Sequence, residues 1–300
     1  MPSQATHRPE FYHDQVMALT RLPTLPAIAM ELMEVTRNDR LSVNQMLPII
    51  EKDPPLAMKV LKIANSAYYG LHRKVDSLRH ALVIIGLKEL SDLALSFSVF
   101  RAFARDEATH GLRWKRLWEH SAACGHVCQL LQSKLELDIP SSPYALGLLH
   151  DIGKLILYKL EPERYLECLE MARDEKVYSY QIEAREIGVD HMQVGRWIAE
   201  KWQLPNALIA AMGHHHFPEQ VEEPDLRNAA ALVQLSDLVC NLQMLGFGTD
   251  YVRSIPREEA GWLILQQESE ALADLDFERF VLGINDELET IRNMVLLISE

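Results

Sequence analysis

Seven residues in the second half of the chain carry metal-ligand chemistry: His120, the pair His150-Asp151, His191, the pair His215-His216, and Asp237. Imidazole nitrogen and carboxylate oxygen suit divalent iron, manganese, nickel and zinc, and one aspartate can bridge two ions through its two oxygens. No member is diagnostic alone, because a single histidine is more often a hydrogen-bonded core or surface residue. The case rests on where each residue falls in its local pattern.

The segment WKRLWEHSAACGHVCQLLQSKL places Leu117, His120, Cys124, Val127 and Leu131 at helical spacings of three and four, so His120 is expected to point inward. The same rotation puts His126 on the far side, where it is expected to be solvated. In RNAAALVQLSDLVCNLQML, Asp237 shares a face with Ala230, Val233, Cys240 and Met244. A buried, unpaired carboxylate there would cost several kcal/mol, so Asp237 needs a partner, and a cation would serve. The apolar run YALGLLHDIGKLILYKL reads as one buried helix, interrupted only by His-Asp-Ile-Gly-Lys with the pair His150-Asp151. Lys154 follows His150 by one helical turn, within reach of a group bound at the same place, although an exposed helix lysine is the ordinary reading of such a residue. Asp190 reads as the N-cap of a helix that starts at His191 and runs to Trp202. Three adjacent histidines, His214 to His216, end the short apolar segment NALIAAM and cannot all face inward.

These segments resemble a known family. His-Asp-Ile-Gly-Lys, then Val-Asp-His-Met-Gln-Val-Gly, Lys-Trp-Gln-Leu-Pro, His-His-Phe-Pro and a later Ser-Asp are similar to the HDOD branch of the HD metal-dependent phosphohydrolase superfamily. Upstream, Leu22-Pro23-Thr24-Leu25-Pro26, Asp53-Pro54, Asn65-Ser66-Ala67-Tyr68-Tyr69-Gly70 and Ala81-Leu82-Val83-Ile84-Ile85-Gly86-Leu87 resemble that family's N-terminal landmarks in the same order. The resemblance spans roughly residues 20 to 245. It implies an all-α fold, with an N-terminal helical bundle packed on an HD-like metal-binding part. It also implies two ions that share Asp151, with His120, His150 and Asp237 on one side and His191, His215 and His216 on the other. A third ion is not expected, because Arg116 stands one turn before His120 where trinuclear relatives would offer a glutamate. His214 is then an extra histidine outside the ligand set.

Many HDOD proteins are regulatory modules of bacterial signalling that have lost part of this set, whereas this chain keeps every member. Two readings follow from the resemblance: a signalling protein with a structural or sensory metal centre, and a metal-dependent phosphohydrolase acting on a nucleotide or other small phosphoester. In the second, Asp151 and Lys154 are the catalytic candidates, Lys154 stabilising charge on the leaving side. The residues after His216 read Phe-Pro-Glu-Gln-Val-Glu-Glu-Pro, without the Gly-Tyr-Pro of the HD-GYP enzymes, which disfavours cyclic di-GMP as substrate. The expected partner is a signalling protein or a small phosphorylated ligand.

Composition bounds the rest. The chain has 300 residues, 48% hydrophobic, and a formal charge of −13. Residues 1 to 115 carry a net +3 and the remainder −16, so nucleic-acid binding by the whole chain is poorly supported. A run of Lys52, Lys59, Lys62, Arg73, Lys74 and Arg79 reads as a solvated face. The four cysteines, Cys124, Cys128, Cys168 and Cys240, include no Cys-x-x-Cys pair and read as reduced packing thiols. No signal-like region or membrane span is evident, and the cytoplasm is the expected compartment.

The periodicity is helical throughout. Helices are expected at 26–37, 42–52, 54–65, 78–85 and 87–105, with Asp53-Pro54 as cap and first-turn proline. The expected organisation is an N-terminal segment at 1–20, a helical subdomain at 21–110, a metal-binding subdomain at 111–245, and a C-terminal loop and helices at 246–300. The break between halves is placed near 106–115. Asn65-Ser66 and Tyr68-Tyr69-Gly70 read as a capped turn or a partner surface. In the tail, Leu288, Ile291, Met294 or Val295, and Ile298 form an apolar stripe.

Overall fold

In the computed structural model the chain is all-α. The structure describes residues 9–18, 27–37, 42–66, 69, 74–104, 114–139, 141–245, 256–268, 272 and 276–299, and among these there is no strand. The expectations placed on Leu22 to Pro26, on Tyr68 and Gly70, on Arg73, on the break at 106–113 and on the loop at 246–255 fall outside the described residues. Two compact units form, one from Met1–Leu22 with Asp106–Leu288 and the other from Pro23–Arg105 with Glu289–Glu300.

The larger unit begins with α1 (Pro9–Ala18). The smaller unit holds α2 (Ala27–Arg37), α3 (Val43–Glu51), α4 (Pro54–Ala64), α5 (Leu78–Ile85) and α6 (Leu87–Ala104). Asp53 caps α4 by accepting from the Leu56 N–H at 3.2 Å. The same carboxylate takes a two-pronged contact from Arg101 of α6, with Nη1 at 2.7 Å from Oδ1 and Nη2 against Oδ2. One residue thus starts a helix and ties it to another. Asn65 ends α4: its Nδ2 donates to the carbonyls of Leu61 and Val75, and its Oδ1 accepts from the Val75 N–H at 2.8 Å. Asn65 is therefore a turn clamp. Gly86, at φ +90°, turns the chain from α5 into α6 in a conformation that L side chains rarely adopt.

The larger unit continues through α7 (Trp114–Lys134), α8 (Pro143–Leu149), α9 (Ile152–Leu160), α10 (Pro162–Glu175), α11 (Ser179–Glu186), α12 (His191–Lys201), α13 (Asn206–His214), α14 (Pro224–Leu242), α15 (Ala260–Glu268) and α16 (Phe277–Gly283). A last helix, α17 (Asn285–Ser299), buries Leu288, Ile291 and Val295. All four cysteines are free and buried. No helix among the described residues is long and apolar enough to cross a membrane.

Glycine sets how closely the site-bearing helices approach. A Cβ on Gly147 of α8 would lie 2.5 Å from the Cys124 carbonyl carbon, and one on Gly125 of α7 would lie 2.8 Å from the Tyr144 carbonyl oxygen. Backbone therefore packs on backbone where α7 crosses α8. This contact overturns the expectation of a solvated His126, which is 6% exposed and packs edge-on against Tyr144 with ring centroids 4.8 Å apart. Helical rotation alone did not reveal that α8 covers this second face of α7.

Burial holds the His126 ring neutral, with its pKa pushed down from 6.5 to about 4. The unfolded chain takes up this proton below about pH 6.5 and the folded chain only near 4, so stability is untouched above 6.5 and falls as pH drops. The full loss is about 3 kcal/mol at 1.36 kcal/mol per pKa unit. A His126→Leu variant should therefore lose part of the wild-type decline in urea midpoint between pH 7 and 4. An unchanged slope would contradict the burial.

Candidate metal centre

Each candidate ligand sits where its local structure aims it. His120 projects from the middle of α7. The apolar run read as one buried helix is in fact two, α8 and α9, broken at His150-Asp151: His150 ends α8 and Asp151 stands at the start of α9. His191 is the first residue of α12, where Asp190 and Gln193 form a capping box. His215 caps the end of α13, and Asp237 lies within α14.

The structure brings all seven together. His120, His150 and Asp151 offer ligand atoms within 4.8 Å of one another, as do His191, His215 and His216. Asp237 Oδ1 is 2.9 Å from His120 Nε2 and 4.0 Å from His150 Nε2. Asp151 stands between the groups: Oδ2 is 3.4 Å from His150 Nε2, while Oδ1 is 3.5 Å from His191 Nε2 and 3.7 Å from His215 Nε2. Lys154, only 2% exposed, places Nζ 2.8 Å from Asp151 Oδ2, so it is not the exposed lysine of the ordinary reading.

The outer ring nitrogens reveal the tautomers. Nδ1 faces the Leu245 carbonyl in His120 (3.3 Å), the Gly147 carbonyl in His150 (2.7 Å), the Ala211 carbonyl in His215 (3.1 Å) and the Glu183 carboxylate in His191 (2.7 Å). Each partner only accepts, so each Nδ1 carries the proton, and in His150 and His215, which burial keeps neutral, the Nε2 lone pair faces inward. His191 Nε2 and His215 Nε2 face each other at 3.3 Å, with His215 Nε2 the acceptor. His150 Nε2 and Asp151 Oδ1 are buried with no hydrogen bond. Inward lone pairs and orphaned buried acceptors fit a cation.

Electrostatics divides the ligands. Burial raises the Asp151 carboxyl, but His150, Lys154, His191 and His215 outweigh it and hold the group well below the usual carboxylate range. Burial, reinforced by His216, His150 and His191, keeps His215 well below its ordinary value and therefore neutral. Burial likewise lowers His150. Burial lowers His120 and His191 too, but Asp237 and Glu183 outweigh it and leave both above their ordinary value, so an ion bound there would displace protons from these rings.

Residues at the margins sort as follows. His214 ends α13 half-buried, outside both groups. Arg116 is exposed. Met244, expected on the buried face with Asp237, is 81% exposed because α14 ends at Leu242 and Met244 adopts φ +52°. Leu245 is buried in its place. His216 and Asp237 also border a cavity of about 250 Å³ that includes Tyr178, Tyr180 and Phe217.

One supporting residue escaped sequence reading. Glu183 of α11 is fully buried and accepts from both the backbone N–H and the Nδ1–H of His191, at 2.8 and 2.7 Å. Its signal was faint: Ser179, Ile182 and Glu183 form the buried face of α11, which makes the glutamate an acid on an inward stripe. Glu183→Gln should weaken metal binding about 10–100-fold, the usual cost of losing an outer partner of a ligand histidine. Competition against a chelator would measure it, and unchanged affinity would remove Glu183 from the centre.

Comparison with known proteins gives the class. The HDOD domain model matches residues 22–218, and the chain belongs to the HDOD family. That match includes His120 to His216 and stops before Asp237. An HDOD domain protein of unknown function from Geobacter sulfurreducens superposes with a TM-score of 0.78 at 23% identity, covering 96% of this chain and 98% of that one. A candidate signal transduction protein from Marinobacter aquaeolei VT8 gives 0.73 at 21% identity, covering 96% and 61%. A candidate phosphohydrolase from Shewanella amazonensis SB2B gives 0.64 at 21% identity, covering 95% and 96%. These likenesses show the fold. An uncharacterized protein of Treponema pallidum is 24% identical over 252 residues, 83% of this chain but 47% of that one. The chain spans about half the length of that curated relative.

Proposed function

We propose that this HDOD chain is a signalling or regulatory protein built around a two-ion metal centre. His120, His150 and Asp237 hold one ion, His191, His215 and His216 hold the other, and Asp151 serves both. The observation that carries the reading is the Asp151 carboxylate, whose two oxygens face the two histidine groups. Nitrogen and carboxylate donors admit iron, manganese, nickel or zinc. The charge distribution of the chain argues against a nucleic-acid partner.

A second reading, metal-dependent hydrolysis of a small phosphoester, is favoured by Lys154. A buried ammonium beside the shared carboxylate is placed to donate to a phosphoryl oxygen. Two bound ions would supply an activated water and a clamp on the phosphate. The chain would supply Lys154 for charge and the cavity bordered by His216 and Asp237 for access.

Metal content of protein purified without chelator tests the shared premise, and about two equivalents are expected. Folded protein that holds no metal and refuses added manganese, iron and zinc would refute both readings. With two ions bound, turnover of p-nitrophenyl phosphate or bis-p-nitrophenyl phosphate that disappears in Lys154→Met establishes the hydrolase. Absence of turnover on a wide phosphoester panel leaves the regulatory reading.

A further inference from the structure

The cavity beside the candidate centre has a wall that metal binding does not account for. Tyr178 and Tyr180 stack on each other at the start of α11, with centroids 5.6 Å apart and planes inclined by 26°. Tyr180 lies 4.9 Å from the His216 ring and meets Phe217 edge-on at 5.2 Å. Both tyrosines are half-buried and line the cavity. Glu219 and Glu259 add carboxylates to the same cavity, and His216 with Asp237 closes it on the side of the centre.

From this arrangement we propose that the cavity is a ring-binding subsite for a small heteroaromatic monophosphate, such as a nucleoside monophosphate whose base carries amino or N–H donors. The inference rests on the two-ion reading, since the ions would take the phosphate. Three features select this class. Tyr178 and Tyr180, packed on each other and against His216 and Phe217, form an aromatic wall of the cavity against which a ring can pack. Glu219 and Glu259 can only accept hydrogen bonds when ionised, so they favour a base edge rich in donors and repel phosphate from the ring end. The volume, about 250 Å³, lies just under the roughly 300–1,000 Å³ of typical ligand pockets, which suits one base with one phosphate and is too small for a dinucleotide.

Calorimetric titration of the full chain, loaded with manganese, tests this with GMP, guanosine and ribose 5-phosphate as probes. GMP should bind at least tenfold more tightly than ribose 5-phosphate. Tyr180→Ala should erase that difference, Tyr180→Phe should keep it, and both should retain the metal. The exposed Glu219→Gln is a second probe, expected to weaken GMP several-fold while leaving ribose 5-phosphate unchanged. Equal binding of GMP and ribose 5-phosphate, or indifference to both Tyr180→Ala and Glu219→Gln, overturns the subsite. Guanosine separates the two readings. If the chain takes no metal but binds guanosine in a Tyr180-dependent way, the two-ion reading fails and the ring site stands; if guanosine also fails to bind, both fall.

Discussion

Replacing Asp151 by asparagine is expected to reduce bound metal from about two equivalents to one or none. The carboxylate is held ionised by His150, Lys154, His191 and His215, with one oxygen toward each histidine group. Asparagine keeps the size but offers a single neutral acceptor, so the His191 group has no anionic donor, the His120 group keeps only Asp237, and nothing spans them. The loss of affinity should exceed the roughly 10–100-fold that losing an outer partner costs. The variant should also be less stable without metal, because Lys154 then keeps a buried ammonium without its carboxylate, a disruption worth about 3–5 kcal/mol. Adding Lys154→Met should recover much of that loss, so the two substitutions will be strongly non-additive in a double-mutant cycle. Metal analysis and thermal melts measure both effects. Retention of two equivalents would rule out a shared Asp151.

Gly153→Ala is expected to be the most damaging small substitution in the larger unit. The glycine lies one turn before Ile156 on α9, where that helix meets α12. A Cβ at this position would run into the His191 carbonyl oxygen and lie 2.8 Å from the Gly195 backbone nitrogen. Both obstacles are backbone, so no rotamer change relieves them and α9 must move off α12. Overpacking in cores commonly costs about 1–3 kcal/mol, and a backbone collision belongs at or above the top of that range. A fall in Tm on the order of 10 °C follows for a unit of this size. Because His191 and Asp151 lie on either side of the contact, metal affinity should fall with stability. A wild-type Tm would show that the helices have room to spare. Gly213, whose added Cβ would meet only the Arg196 side chain, is the control expected to tolerate alanine better.

The sequence was most legible where one helix face decides the outcome. His120 reads as buried from the stripe it shares with Leu117, Cys124 and Val127, and it is buried. The helices from Ala27 to Ala104 lie within a residue or so of their expected bounds because caps such as Asp53, Ser77 and Gly86 mark them. Legibility failed where a second element intervenes. His126 is covered by α8 through glycine contacts that a single helix does not advertise, and Glu183 acquires its role from a histidine eight residues further on. Met244 reads as buried with Asp237 but is exposed, because α14 stops at Leu242 with no glycine or proline at its cap to mark the end. The break between α8 and α9 was hidden by apolar residues on both sides, and it is the feature that turns His150 and Asp151 toward different neighbours.

The helix α1 belongs to the larger unit although most of that unit lies beyond residue 105. Tyr12 donates to Glu161 Oε1 at 3.0 Å, His13 packs edge-on against Trp197, and Lys201 donates to the carbonyls of Val16 and Met17 at 3.0 and 2.9 Å. The unit with the candidate ligands is therefore discontinuous in sequence, interrupted by Pro23–Arg105, and so is the other unit, which also takes Glu289–Glu300. A cut near residue 106 does not yield two self-sufficient modules. The downstream piece would keep every candidate ligand yet lose the contacts of α1 with Trp197 and Lys201 on α12, the helix that presents His191, and the Tyr12 hydrogen bond to Glu161. The division that respects the architecture joins Met1–Leu22 to Asp106–Leu288 through a linker and takes Glu289–Glu300 away with Pro23–Arg105.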